Sequence, residues 1–207
     1  MKGLLLKDFY MTAKYCRSFL LIVVVFLAVS FFGKDNVFFI LYPVLISSMI
    51  PVTLMSYDEH DKWNVYSLTL PYTRGQLVSA KYLTGLIFES AAYVVSLAAT
   101  IVRMQLNGYF SLDSLLGMAV ILLALGMLAP TLLLPLVFKF GTEKGRIAFY
   151  IMIGLMTAAG ALAAGIGLQF ALPAGGIWIL AGIVLIVVLL YALSWRFSIV
   201  FYRRREM

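Results

Sequence analysis

Hydrophobic and polar residues alternate in long blocks along this chain. Apolar runs fall at about 18–32, 37–56, 83–102, 115–138, 147–172 and 177–195, with short polar intervals between them. At about 1.5 Å per helical residue, the later five match a hydrocarbon core of about 30 Å. The first reaches only about 22 Å. It is completed by part of the segment before it or by local thinning of the bilayer. The pattern predicts an all-α integral membrane protein with six transmembrane helices, forming one transmembrane domain over residues 1–207.

Residues 2–17 have a different period. Leu5, Phe9, Ala13 and Cys16 recur at helical spacing on one face, with Lys7 and Lys14 opposite. This predicts an amphipathic arm in the membrane surface, with Lys2, Lys7, Lys14 and Arg17 near anionic headgroups. A signal peptide is the rival reading, because Ala28-Val29-Ser30 loosely resembles a cleavage site. The long segment ahead of the apolar run and the charge distribution favour retention.

The longest polar interval is residues 57–82, YDEHDKWNVYSLTLPYTRGQLVSAKY. Asp58 is placed to cap a short helix whose first turn holds Glu59 and Asp61. Pro71 breaks the run, and Thr73 with Gln76 forms a capping box that opens the next helix. Trp63 and Tyr66 lie three apart and share a face, which Leu70 continues if the helix lasts. Such a stripe is either a docking surface or an aromatic belt among headgroups, and spacing leaves both open.

Smaller signals punctuate the apolar runs. Pro43 and Pro51, with Ser47 and Ser48 between them, predict a kink in the second. The third contains one mid-membrane charge, Glu89, either lining a polar cavity or paired with a basic residue or backbone donor. Lys81, eight positions earlier, is too far along the helix for that pairing. In the interval Lys139 to Arg146, Gly141 suits a C-cap and Thr142 the following N-cap. Gly154, Ala158, Ala161 and Gly165 in the fifth run favour close helix packing, within the bundle or between protomers.

Composition agrees with the pattern. Apolar residues are 63% of the chain and charged ones 12%, and mean hydropathy is +1.01. The net charge of +7 does not imply nucleic acid, because in a membrane protein Lys and Arg set topology. With the N-terminus inside, the arm, first loop, second loop and tail hold four, three, three and four of the 16 Lys and Arg. Only Lys34 and Arg103 lie outside. This places both termini and residues 57–82 in the cytoplasm of a multi-pass protein.

Several chemistries find no support. The chain has one cysteine, Cys16, and one histidine, His60, so no disulfide or histidine-rich metal site is expected. No phosphate-binding G-x-x-x-x-G-K-[ST] loop, H-E-x-x-H or G-x-S-x-G motif is present. The chain is expected to be non-catalytic and to bind no cofactor or metal itself.

The order of parts resembles a permease of the ABC-2 type of ATP-binding-cassette exporter in its small bacterial form. The resemblance rests on Asp58, Glu59, Lys62, Trp63, Leu70, Pro71, Arg74, Val78, Lys81 and Tyr82, following an apolar second run. Within that family the chain is most similar to permeases of phenol-soluble-modulin-type peptide exporters. The resemblance implies two copies of a cytoplasmic ATPase, carrying ATP and Mg, that dock on a coupling helix from Asp58 to Leu70. Asp61, Lys62, Trp63, Tyr66, Pro71 and Arg74 belong to that contact, and Gly141, Thr142 and Glu143 supply a second. A second permease copy, membrane lipid and an amphipathic, antimicrobial or cytolytic peptide cargo are further implied partners, in the bacterial cytoplasmic membrane. Larger members have re-entrant helices before the last span, where this chain has only Pro173 to Gly176. The alternative is a stand-alone binding, immunity or stress-sensing membrane protein.

Overall fold

The computed structural model describes residues 1–30, 37–108, 110–145, 147, 151, 154, 158 and 177–204. The fifth apolar run with its small-residue spacing lies outside the described residues except at four isolated positions, as does the turn at 173–176. The described elements are helical: α1 Lys2–Tyr15, α2 Arg17–Ser30, α3 Val37–Ser48, α4 Ile50–His60, α5 Trp63–Tyr66, α6 Arg74–Leu106, α7 Leu112–Phe140 and α8 Ile177–Arg204. A 3-10 turn, Ser67–Thr69, follows α5.

Four stretches are long and apolar enough to cross a membrane: Phe39–His60, Arg74–Leu106, Leu112–Phe140 and Trp178–Arg204. The arm and the first apolar run make a fifth only together, across a bend of 64° between α1 and α2. Among the described residues, then, four or five of the six expected spans are found. The helices also outrun the apolar runs. α6 has 33 residues, about 50 Å of helix, and α8 continues through the basic tail to Arg204. Neither extension contains proline, so backbone hydrogen bonding continues past the hydrocarbon boundary.

The second run breaks at Met49, between its two prolines. The buried Ser47 hydroxyl donates to the Pro43 carbonyl at 2.9 Å, and Ser48 donates to that of Leu45 at 2.7 Å. Such back-bonding satisfies polar groups in a low-dielectric setting and bends the helix. Gly85 of α6 faces the ring of Pro51, where a Cβ would lie 3.2 Å from it. The two helices approach closely there.

α6, α7 and α8 are fastened by a polar knot inside the apolar core. Tyr82 is fully buried and stacks on Trp195, with ring centroids 5.4 Å apart. Its hydroxyl bonds to Ser194 at 2.8 Å and Ser198 at 2.7 Å. Ser194 in turn donates to the Thr131 carbonyl, and Tyr191 to the Tyr82 carbonyl. Satisfied networks of this kind fix helix register.

The arm is helical, and polar residues lie on the side that packs on the bundle. Leu4, Asp8 and Thr12 are buried, whereas Leu6, Phe9 and Tyr10 are more than half exposed. Of the apolar stripe, Phe9 and Ala13 are exposed and Leu5 is half-buried, while Lys7, expected among headgroups, turns inward. Cys16 is buried against Ile50 and Leu54. The burial of Asp8 and Thr12 has a physical cause. Lipid solvates apolar side chains as well as a protein core does, so burial favours the polar side where partners exist.

Candidate functional site

Four charged side chains meet where α1 crosses the ends of α4 and α6. Lys81 donates to Asp8 Oδ1 at 2.6 Å and lies 2.6 Å from Asp58 Oδ2. Lys7 donates to Asp58 Oδ1 at 2.6 Å and lies 3.4 Å from Asp8. The Thr84 hydroxyl reaches Asp8 Oδ2 at 3.4 Å. Asp8, Asp58 and Lys81 are buried, with Lys7 at the rim. Two cations and two anions balance, which is what allows burial at all; isolated charges would cost several kcal/mol. The space beside the cluster is about 30 Å³, room for water and far below a substrate pocket. The cluster is a fastening.

Asp58 therefore does not cap a coupling helix. It lies within α4, which begins after Met49 and runs on to His60. The polar interval breaks at Lys62 (φ 55°), restarts as α5 for one turn, and ends in the 3-10 turn. The single helix expected from Asp58 to Leu70 is thus two pieces, and Leu70 is extended (ψ 154°) rather than continuing the stripe. The polar residues Asp58, Glu59 and His60 carry α4 past the apolar run, and Asp61 stands at its C-cap. Beyond Pro71, Thr73 and Gln76 form the expected capping box at the start of α6.

α5 is joined to the charge cluster. Lys7 Nζ lies 4.2 Å from the centroid of the Trp63 ring, a cation–π contact. Trp63 also packs against the main core, with Tyr66 beside it at 5.5 Å between centroids. Tyr66 and Val65 are exposed. The aromatic pair therefore divides its roles: Trp63 faces the bundle and Tyr66 the surroundings.

The second polar interval meets the first. The backbone N–H of Thr142 donates to Glu59 Oε2 at 2.8 Å, and the Thr142 hydroxyl donates to the same oxygen. Gly141 closes α7 with φ 90°, in the left-handed region that glycine tolerates. Thr142 is already helical rather than an N-cap; the Gly145 N–H donates to the Gly141 carbonyl at 3.0 Å, so Gly141 holds that place. Between the intervals lies an open cleft of about 420 Å³, lined by His60, Glu59, Phe140, Thr142, Glu143 and Lys144.

The ABC-2 family transporter protein family matches residues 3–203. The chain belongs to that family. No curated protein and no solved structure matches it.

ABC-2 proteins are membrane components of transporters and are not themselves the catalytic part. In this ABC-2 chain, Glu59, Trp63, Tyr66, Thr142 and Glu143 converge on one end, with Asp61 and Lys62 exposed beside them. Pro71 is exposed and Leu70 half-buried. Arg74 stands apart, donating to the Arg203 carbonyl at 2.9 Å at the end of α8. Glu89 lies deep in the bundle, away from this end. It is 6% exposed, and its Oε2 has no hydrogen-bond partner among the described residues.

Sequence reasoning missed Asp8, and it assigned Lys7 to headgroups. The available signal was that Asp8 is the one acid in a membrane-associated arm. An acid so placed needs a cation, and Lys81 had no partner along its own helix.

Proposed function

We propose that this ABC-2 protein is the permease subunit of an ATP-driven exporter and that ATP hydrolysis resides on a separate cytoplasmic ATPase. The ATPase docks on the exposed side of α5 and on the turn from Thr142 to Lys144. The observation that carries this reading is the bond from Thr142 to Glu59. It makes one surface of two intervals far apart in sequence, around a cleft large enough to receive side chains of a partner.

Docked force has a path inward. Displacement of α5 moves Trp63 against Lys7, and the ion pairs carry that motion through Asp58 to α4 and through Lys81 to α6. Buried charge pairs suit this role, because no partner leaves without a cost of several kcal/mol. Two ATPases closing on nucleotide would then move two permease copies relative to each other. The Lys and Arg distribution supports cytoplasmic termini, and a bacterial cell membrane is the location implied by the resemblance. An amphipathic peptide is the cargo class implied by the resemblance to modulin exporters.

Co-expression with the ATPase encoded beside this chain, followed by purification through a tag on the permease, tests the reading. A stable complex whose ATP hydrolysis changes on Tyr66→Ala supports it. A folded permease that retains no ATPase overturns it in favour of a stand-alone binding or immunity role.

A further inference from the structure

The outer side of α1 forms a trough with α6. It measures about 310 Å³, and its apolar lining includes Leu5, Leu6, Phe9, Ile87 and Phe88. Phe9 and Phe88 stack with centroids 5.9 Å apart. Lys2 is the charged residue of the lining, and it lies two turns from Phe9, about 10 Å along the helix. The trough therefore has a cationic end and an aromatic end.

We propose that this trough seats one anionic phospholipid, with an acyl chain along Leu6, Phe9, Ile87 and Phe88 and its phosphate on Lys2. Charge complementarity selects the headgroup. The one acid of the arm, Asp8, is buried in the ion cluster, so the exposed charges of the arm, Lys2 and Lys14, with Arg17 just beyond it, are all cationic. The acyl chain follows from the exposed apolar side of the arm. Leu6 and Phe9 are each 56% exposed and Ile87 51%, a continuous apolar surface that lipid covers where water would be excluded. α1 is thereby held from both sides, by Asp8 on the inner face and by the lipid on the outer. The site requires no ATPase.

Native mass spectrometry of the full chain, released from micelles with equal phosphatidylglycerol and phosphatidylcholine, tests the proposal. One phosphatidylglycerol is expected to be retained about fivefold over phosphatidylcholine, the factor for one lysine beside an anionic surface. Lys2→Gln should abolish that preference, Ile87→Trp should fill the trough and remove the bound lipid, and Lys14→Gln should change neither. Thermal unfolding confirms that each variant is folded. Equal retention of the two lipids overturns the proposal. So does a preference that survives both Lys2→Gln and Ile87→Trp, or one that Lys14→Gln removes as fully as Lys2→Gln.

Discussion

Glu59 and Thr142 stand 83 positions apart in sequence, yet one carboxylate oxygen of Glu59 accepts both the backbone N–H and the hydroxyl of Thr142. A hydrogen bond to a charged group contributes about 1.5–3 kcal/mol when it is shielded from water. Because Glu59 is half-buried, a value near 1–2 kcal/mol is expected for Glu59→Gln. Thr142→Val keeps the backbone donor and loses the hydroxyl. A double-mutant cycle in thermal unfolding should give a coupling of at least about 0.5 kcal/mol between the two. Strict additivity would show that the two intervals are not joined by this contact.

Lys81 bridges Asp8 and Asp58, so Lys81→Met leaves two buried carboxylates with Lys7 alone. Loss of one member of a buried ion pair typically costs about 3–5 kcal/mol. The variant should accumulate poorly and unfold early. Adding Asp8→Asn removes one stranded charge and should restore part of the loss. The check is the unfolding midpoint of the purified double variant against the single. No recovery would mean that the side chain of Lys81 acts by packing rather than by charge.

Trp63 and Tyr66 should separate in experiment although they are neighbours on one short helix. Tyr66 is exposed, so Tyr66→Ala should alter stability by less than about 0.5 kcal/mol. Its effect falls on partner binding, with at least a tenfold loss of ATPase affinity for an aromatic anchor. Trp63→Ala also removes the Lys7 contact and core packing, so stability should fall together with binding. Affinity by surface plasmon resonance beside unfolding midpoints distinguishes them. Equal effects on both properties would contradict the division of roles.

What the sequence made legible was local. The Thr73–Gln76 capping box, the Gly141 cap and the proline break near Met49 depend on residues within one or two turns, and each stands where the pattern puts it. What remained hidden depends on distance. Lys7 and Asp58 are 51 positions apart and Lys81 and Asp8 are 73, so no periodicity could pair them. The inward turn of Lys7 was hidden for the same reason. The arm's helical spacing is real, but which face turns inward depends on partners contributed by α4 and α6. The left-handed Lys62 likewise interrupts a stretch without proline or glycine, where no local signal marks the break.

Glu89 and Gly126 are matched in size. A Cβ on Gly126 would collide with Glu89 Oε1 and with Cγ1 of Val44. Gly126→Ala therefore forces the carboxyl or α3 to move, with an expected cost of about 1–3 kcal/mol. Glu89→Gln keeps the shape and removes any charge from a site where Oε2 lacks a partner, so it should fold as well as the parent. Pairing Gly126→Ala with Glu89→Ala relieves the contact to the carboxyl but not the one to Val44, and rescue should be partial. Unfolding midpoints in detergent for the parent and these three variants check this order. A Gly126→Ala protein as stable as the parent would show that α3 and α7 yield at this point, and that glycine is not required for Glu89 to fit.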